Sequence, residues 1–282
     1  MPKLPSEFTF SQASLQDFLA CPRRFYLRYV RRLAWPSAGG GKVFEWEWRL
    51  KLAQDFHHLA HQRALGIAAE LLDPLVQHHS AELIEWWSAL CQFWEAEQEG
   101  ILLGRRFAEL MLTAPLGKTR LLAKYDLLVA HPDGRWTIID WKTTQRRPAA
   151  DALRSLVQTR VYPYLLVRAG ASLNEGHPIE PDQVTMIYWF ANAPANPELI
   201  PYATQQFQAD EDFLSHITEE ILARKDEDFE LTLAEHHCAY CLYRTYCERS
   251  FTPLADEDSE EIAERLELSL PQDWDQIAEV EY

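Results

Sequence analysis

The 282-residue chain predicts an α/β fold in which a central mixed sheet is flanked by helices supplied from both ends. Three observations carry that prediction. Residues 105–143 hold three consecutive strand-like runs, "RRFAELMLTAPL", "TRLLAKYDLLVA" and "RWTIIDWKT", divided by turn chemistry at "LGK" and "HPDG". Segments of helical period lie on both sides of these runs. A further strand, "QVTMIYWFA" (183–191), follows a crossover helix, the order expected of an α/β unit.

Taken in order, Ser11 or Ser14 can cap a first helix running to about Arg32, with Leu15, Phe18, Leu19, Phe25 and Leu27 on its apolar side. "PSAGGGK" (36–42) breaks the chain. A long helix is expected over 44–72, with Trp48, Leu52, Phe56 and Leu59 at helical spacing, and a shorter Trp-rich one over 80–97. The three strands follow, then a helix over 149–167, the strand at 183–191, a short strand near 198–202 and a helix over 210–224. One domain is expected over 1–250. It divides into an N-terminal helix with the first cysteine (8–42), a core (43–225) and a cysteine segment (226–250), with an acidic tail over 251–282.

Composition narrows the class. At 47% apolar and 12% aromatic the chain has ample material for a core. Its opening, "MPKLPSEFTFSQASLQDF", lacks the apolar stretch of a secretory leader. No run approaches the roughly 18 apolar residues of a membrane span. A cytoplasmic protein is expected, in which the five cysteines read as metal ligands before disulfides. The net charge of −16 is concentrated: residues 256–282 carry eleven acids against one arginine. Basic clusters remain at "CPRRFYLRYVRR" (21–32) and "KTTQRRP" (142–148), and global charge does not exclude a local basic groove.

The "HPDG" turn fixes a register. Pro132 and Asp133 suit the centre of a type I turn, and Gly134 suits the left-handed position that completes a three-residue hairpin loop. His131 then faces Arg135, and Asp126 faces Asp140, their Cβ atoms roughly 5 Å apart. Lys142 points from the same side as Asp140. "TIIDW" is apolar on both faces, as in a covered central strand. Two carboxylates facing each other there repel and lose hydration unless a cation neutralises them. Mg²⁺ binds through one or two carboxylates and keeps waters for phosphate chemistry, which a nearby lysine can assist.

Near the end, "HHCAYCLYRTYC" places Cys238, Cys241 and Cys247 together. Cys91, in "WSALCQFW", reads as a core residue.

The pattern D-x(13)-D-x-K on a strand hairpin resembles the PD-(D/E)XK nuclease superfamily, and within it the RecB-like branch. That branch adds a His on an upstream helix, matched by His57 in "QDFHHLAHQ", and Gln-x-x-x-Tyr on a later helix, matched by Gln158 and Tyr162 in "QTRVY". Its iron–sulfur members have one Cys before the core and C-x2-C-x5-C after it, matched by Cys21 and by Cys238, Cys241 and Cys247. The resemblance covers about residues 8–250 and implies a restriction-endonuclease-like core. It departs at Tyr125, which stands where the motif has Pro, a departure many members share, and at Ala123, where Gly is frequent. Pro163 directly after Tyr162 predicts a kink or restart, with Tyr164 as the alternative partner.

What the resemblance implies is a metal-dependent deoxyribonuclease, an exonuclease by preference, acting on single-stranded DNA or DNA ends. The alternative is an inactive nuclease-like scaffold that binds DNA. Asp126, Asp140 and His57 would hold Mg²⁺ or Mn²⁺, Lys142 would assist the nucleophile, and Gln158 and Tyr162 would complete the site. Glu109 could aim another carboxylate from the preceding strand. Four thiolates suit a [4Fe–4S] cluster or a structural Zn²⁺, with His236 or His237 as substitutes in a zinc version. Arg23, Arg24, Arg146 and Arg147 are the candidate backbone contacts. A helicase or another DNA-processing or repair protein is the implied partner, since no helicase motif is present.

Overall fold

The computed structural model describes residues 4–5, 8–33, 41–144, 147–238, 241 and 243–249, with backbone only over 41–47. The expected break at 36–42 lies mostly outside these, as do Arg146 and the tail from 251. In chain order the elements are β1 (Thr9–Ser11), α1 (Gln12–Ala20), α2 (Pro22–Phe25), a π turn (Tyr26–Val30), α3 (Gly41–Ala64), α4 (Ala69–Val76) and α5 (Ala81–Ala96). Then come β2 (Arg105–Leu116), β3 (Thr119–Ala130), β4 (Trp136–Lys142), α6 (Ala150–Arg154), α7 (Val157–Ala169), β5 (Val184–Phe190), β6 (Glu198–Pro201) and α8 (Thr204–Ala223). None of the described helices is long and apolar enough to cross a membrane.

The described residues fall into two compact units. One comprises the described residues of Met1–Ser37, Thr113–Leu122 and Ala209–Tyr282, the other those of Ala38–Leu112 and Ala123–Gln208.

In the second unit β3 and β4 are antiparallel, β4 and β5 parallel, and β5 and β6 antiparallel, while β2 pairs β3. This is the mixed sheet that was expected. The loop behaves as its sequence dictates: His131 N–H donates to Arg135 at 2.9 Å, Gly134 N–H donates back to His131, and Gly134 takes φ +85°. The resulting pairs, Ala130 with Trp136 through Leu127 with Ile139, are those predicted.

Helices α3 and α5 cover one face of the sheet. Phe56 of α3 stacks on Trp189 of β5 (centroids 6.1 Å apart), and Phe93 of α5 packs on both Trp189 and Trp141. Ala60 of α3 is fully buried.

The expected helix over 44–72 is divided. Gly66 takes φ +92°, and the bonds Gly66 N–H to Arg63 and Ile67 N–H to Gln62 form a Schellman stop after α3. The helix expected over 149–167 also divides, because Leu156 is extended. There Thr159 Oγ1 donates at 2.6 Å to the carbonyl of Leu153, which also accepts the Leu156 N–H, so α7 reaches back to the end of α6. Pro163, in contrast, lies within a continuous α7, so no restart occurs.

Gly104, just before β2, takes φ +142°, and a Cβ there would lie 2.2 Å from the Ala130 carbonyl oxygen. Backbone cannot yield as a side chain can. Gly104→Ala is expected to cost about 2–3 kcal/mol in chemical denaturation. Gly66→Ala, with open space around it, should cost only about 1 kcal/mol.

In the first unit β1 runs parallel to Arg120–Leu122 of β3, a strand the sequence reading did not anticipate. Ser11 caps α1 through a reciprocal box with Ser14. The expected helix to Arg32 breaks at Cys21, which is extended (φ −163°, ψ 108°) because Pro22 disfavours a helical residue before it. Phe229 inserts among Phe18, Phe25 and Tyr26, at centroid distances of 6.5, 6.1 and 5.2 Å.

Candidate active site

The β3–β4 ladder ends at Leu127 and Ile139, and one residue further on are Asp126 and Asp140, 5% and 3% exposed. Asp126 Oδ2 accepts the backbone N–H of Trp141 at 2.9 Å. Its other oxygen lies 3.5 Å from Nδ1 of His57, carried on α3. On β4, Lys142 Nζ lies 2.7 Å from Asp140 Oδ2 and donates to Gln158 Oε1 at 2.9 Å. Gln158, in the first turn of α7, donates through Nε2 to Asp140 Oδ1. That orientation is the one in which the amide oxygen meets the ammonium and the amide nitrogen meets the carboxylate. Asp126, Asp140, Lys142, His57 and Gln158 are thus brought together.

Burial dominates the electrostatics. It pushes the Asp140 carboxyl up, the nearby charge of Asp126 adds to it, and Lys142 and His57 oppose it; the result is about 6. Burial also penalises Asp126, but His57, the Trp141 N–H and Lys142 outweigh it and hold that carboxyl below its usual range. His57 is the mirror case: burial lowers it, while Asp126 and Asp140 together raise it above the ordinary imidazole value. Two adjacent carboxylates with opposite shifts divide the labour: one stays ionised and the other is poised near neutrality.

Tyr162 is buried, and its hydroxyl is held well above the usual phenol value, first by burial and then by the two aspartates. Its backbone carbonyl accepts the Tyr125 hydroxyl at 2.9 Å, tying α7 to β3. Tyr164 is buried against Phe207. Glu109 does not join the aspartates; it pairs with Lys124 at a bulge-like φ of +52° in β2.

One residue escaped the sequence reading. Tyr188 is the Cα partner of Asp140 on β5, its ring lies 5.4 Å from the Lys142 ammonium, and its hydroxyl is 2.7 Å from Thr159 Oγ1. A parallel pair has no turn to announce its register, so no local signal could have found it.

Among the described residues no three His, Cys, Asp or Glu side chains are arranged as a ready metal shell. Of His57, Asp126 and Asp140, the expected ligand set, Asp126 faces His57 and Trp141, and Asp140 faces Lys142 and Gln158. The chemistry nevertheless fits a hard divalent cation. Asp140 Oδ2 is buried and accepts no aligned hydrogen bond, Lys142 meeting it only as an ion pair.

Cys21, Cys238, Cys241 and Cys247 belong to the first unit, and Cys91 to the second. Cys21 sits between α1 and α2, and Cys238 and Cys247 end short 3₁₀ turns. All are free thiols, not an assembled shell. Burial raises the Cys238 and Cys247 thiols and takes Cys241 to about 11, and Cys21 adds to all three. Four cysteine sulfurs are the donor chemistry that suits a soft thiophilic centre. Arg24 is not at the surface: it is buried and pairs with Asp17 at 2.8 Å, with Arg28 on the other carboxylate oxygen. Arg23 is half-buried over the Tyr26 ring, and Arg147 is exposed.

A family model for the PD-(D/E)XK nuclease superfamily matches residues 9–248. Among solved structures, a Eubacterium rectale protein ascribed an exonuclease activity is similar over 89% of this chain and 92% of its own, with TM-score 0.54 and 9% identity. The protein SSO0001 is similar over 85% of each chain, with TM-score 0.39 and 12% identity. No curated protein matches the chain.

Proposed function

The chain belongs to the PD-(D/E)XK nuclease superfamily, and on that premise we propose that it is a divalent-metal-dependent deoxyribonuclease of the RecB-like branch. Its substrates on this reading are single-stranded DNA or DNA ends, and its mode exonucleolytic. The observation that supports it most is the closed network Asp140–Lys142–Gln158 beside Asp126. A buried carboxylate and ammonium locked by one amide are costly to maintain for stability alone.

Mg²⁺ or Mn²⁺ held by Asp126, Asp140 and His57 would polarise the phosphoryl group and acidify water. Lys142 holds its charge where the attacking and leaving oxygens become negative, and its ion pair with Asp140 keeps it from swinging away. Gln158 fixes both partners and so sets the lysine's direction. Asp126, kept ionised by His57, supplies a permanent negative charge. Arg23 and Arg147 are proposed backbone contacts; Arg24 serves the fold.

For the four cysteines we favour [4Fe–4S] over Zn²⁺, on the spacing C-x2-C-x5-C with Cys21 as fourth ligand. Anaerobically purified protein is expected to be coloured and to carry iron, and a colourless zinc protein would reverse that choice. A helicase or other DNA-processing partner in the cytoplasm would supply unwound DNA.

End-labelled single- and double-stranded DNA, incubated with Mg²⁺ or Mn²⁺ and with EDTA, tests the reading. Shortening from an end that EDTA abolishes is the expected result. Binding without hydrolysis under every metal condition would favour the inactive scaffold instead.

A further inference from the structure

Glu198, at the start of β6, receives two arginines: Arg147 NH2 at 2.6 Å and Arg154 NH2 at 3.0 Å. The glutamate side chain is 12% exposed, whereas the arginines are 32% and 51% exposed. Arg147 is further fixed over the ring of Phe190 at 5.8 Å. A fully exposed Asp151 is the other carboxylate near Arg154, at 3.5 Å. An ordinary surface ion pair needs one cation, and such a pair stabilises little. Here two guanidinium forks converge on one shielded acceptor.

The sheet places this cluster beside the candidate active site. Asp140 pairs with Tyr188, and Tyr188 pairs with Glu198. Directly paired residues share a face, so the three form one row across β4, β5 and β6. At the usual strand spacing Glu198 lies about 10 Å from Asp140 along that row. One phosphodiester chain reaches both. Carboxylate and phosphate present arginine with the same bidentate acceptor geometry.

We propose that Arg147 and Arg154 form a backbone-phosphate subsite for the strand being cut, and that Glu198 is its internal place-holder, displaced when a substrate phosphate takes over both forks. This rests on the nuclease reading above. It makes Glu198 a brake on binding: the carboxylate preorganises the arginines and competes for them.

Fluorescein-labelled single-stranded oligothymidylate, titrated by anisotropy with Mg²⁺ in an Asp140→Asn background that does not consume it, reads the effect. Glu198→Gln is expected to tighten binding about threefold to tenfold, while Arg147→Ala and Arg154→Ala weaken it about as much. Each arginine variant should also flatten the slope of log affinity against log salt by up to about 0.7, the value for one phosphate of a single strand. Weaker or unchanged binding by Glu198→Gln, or an unaltered salt slope in both arginine variants, overturns the proposal. If Glu198→Gln behaves so in a protein whose native form cuts DNA, the subsite alone falls. A native protein that neither binds nor cuts DNA overturns both readings.

Discussion

Asp140→Asn is expected to lower metal-dependent cleavage by at least about 10³-fold while leaving the protein folded. The amide keeps the shape and the contact with Gln158 but removes the charge a divalent ion needs. Its stability signature is equally specific. The Asp140 carboxyl titrates at about 6 in the fold against 3.8 in the unfolded chain, so the folded state holds the proton more tightly. Its stabilising contribution is complete below pH 3.8 and is lost as pH rises through 6, a difference on the order of 3 kcal/mol by neutral pH. The neighbours act in other windows. Asp126, depressed, contributes above pH 3.8 and loses that as pH falls through its folded value. His57, raised, contributes below 6.5 and loses that as pH rises through its folded value. Urea unfolding in EDTA should therefore show a decline between pH 4 and 6.5 that Asp140→Asn lacks; an identical decline in both proteins would contradict the assignment.

Lys142→Met is expected to abolish activity as well, by about 10²-fold or more, but with the opposite effect on the fold. Removing the ammonium leaves Asp140 buried with one amide for company, and breaking a buried pair from one side costs on the order of 3 kcal/mol. Lys142→Arg should not rescue either property. A compact ammonium fits between Asp140 Oδ2, Gln158 Oε1 and the Tyr188 ring, and a planar fork does not. The double variant Asp140→Asn/Lys142→Met should be less destabilised than the sum of the single ones, because neither charge is then stranded. Strict additivity in equilibrium unfolding would show that the two side chains do not act as a pair.

The central hairpin was legible because its information is local. Alternating and continuous apolar runs set β2, β3 and β4, and the turn at Gly134 set the β3–β4 register to the residue. Helix ends were legible only where their signals were weighed. Gly66 in "ALGIAA" is an ordinary stop signal, passed over because apolar residues continue at helical spacing beyond it. The break at Leu156 has no such mark; it is bound up with a hydroxyl of α7 reaching back to α6. The partnership of β1 with β3 joins residues more than a hundred positions apart, and nothing in three residues specifies it. The same holds for Tyr188, whose place depends on a parallel crossover. Arg24 was misplaced because a basic cluster reads as surface, whereas Asp17, one helical turn before Cys21, draws the guanidinium inward.

Phe229 fills the aromatic pocket of Phe18, Phe25 and Tyr26, and this has a consequence for how the polypeptide is made. Phe18, Phe25 and Tyr26 leave the ribosome roughly 200 residues before Phe229 does, which at 5–20 residues per second is about 10–40 s. During that interval a cluster of aromatic rings waits on the nascent chain without this partner, a natural client for chaperones and a target for proteases. A chain that ended before Phe229 would leave it permanently without that cover.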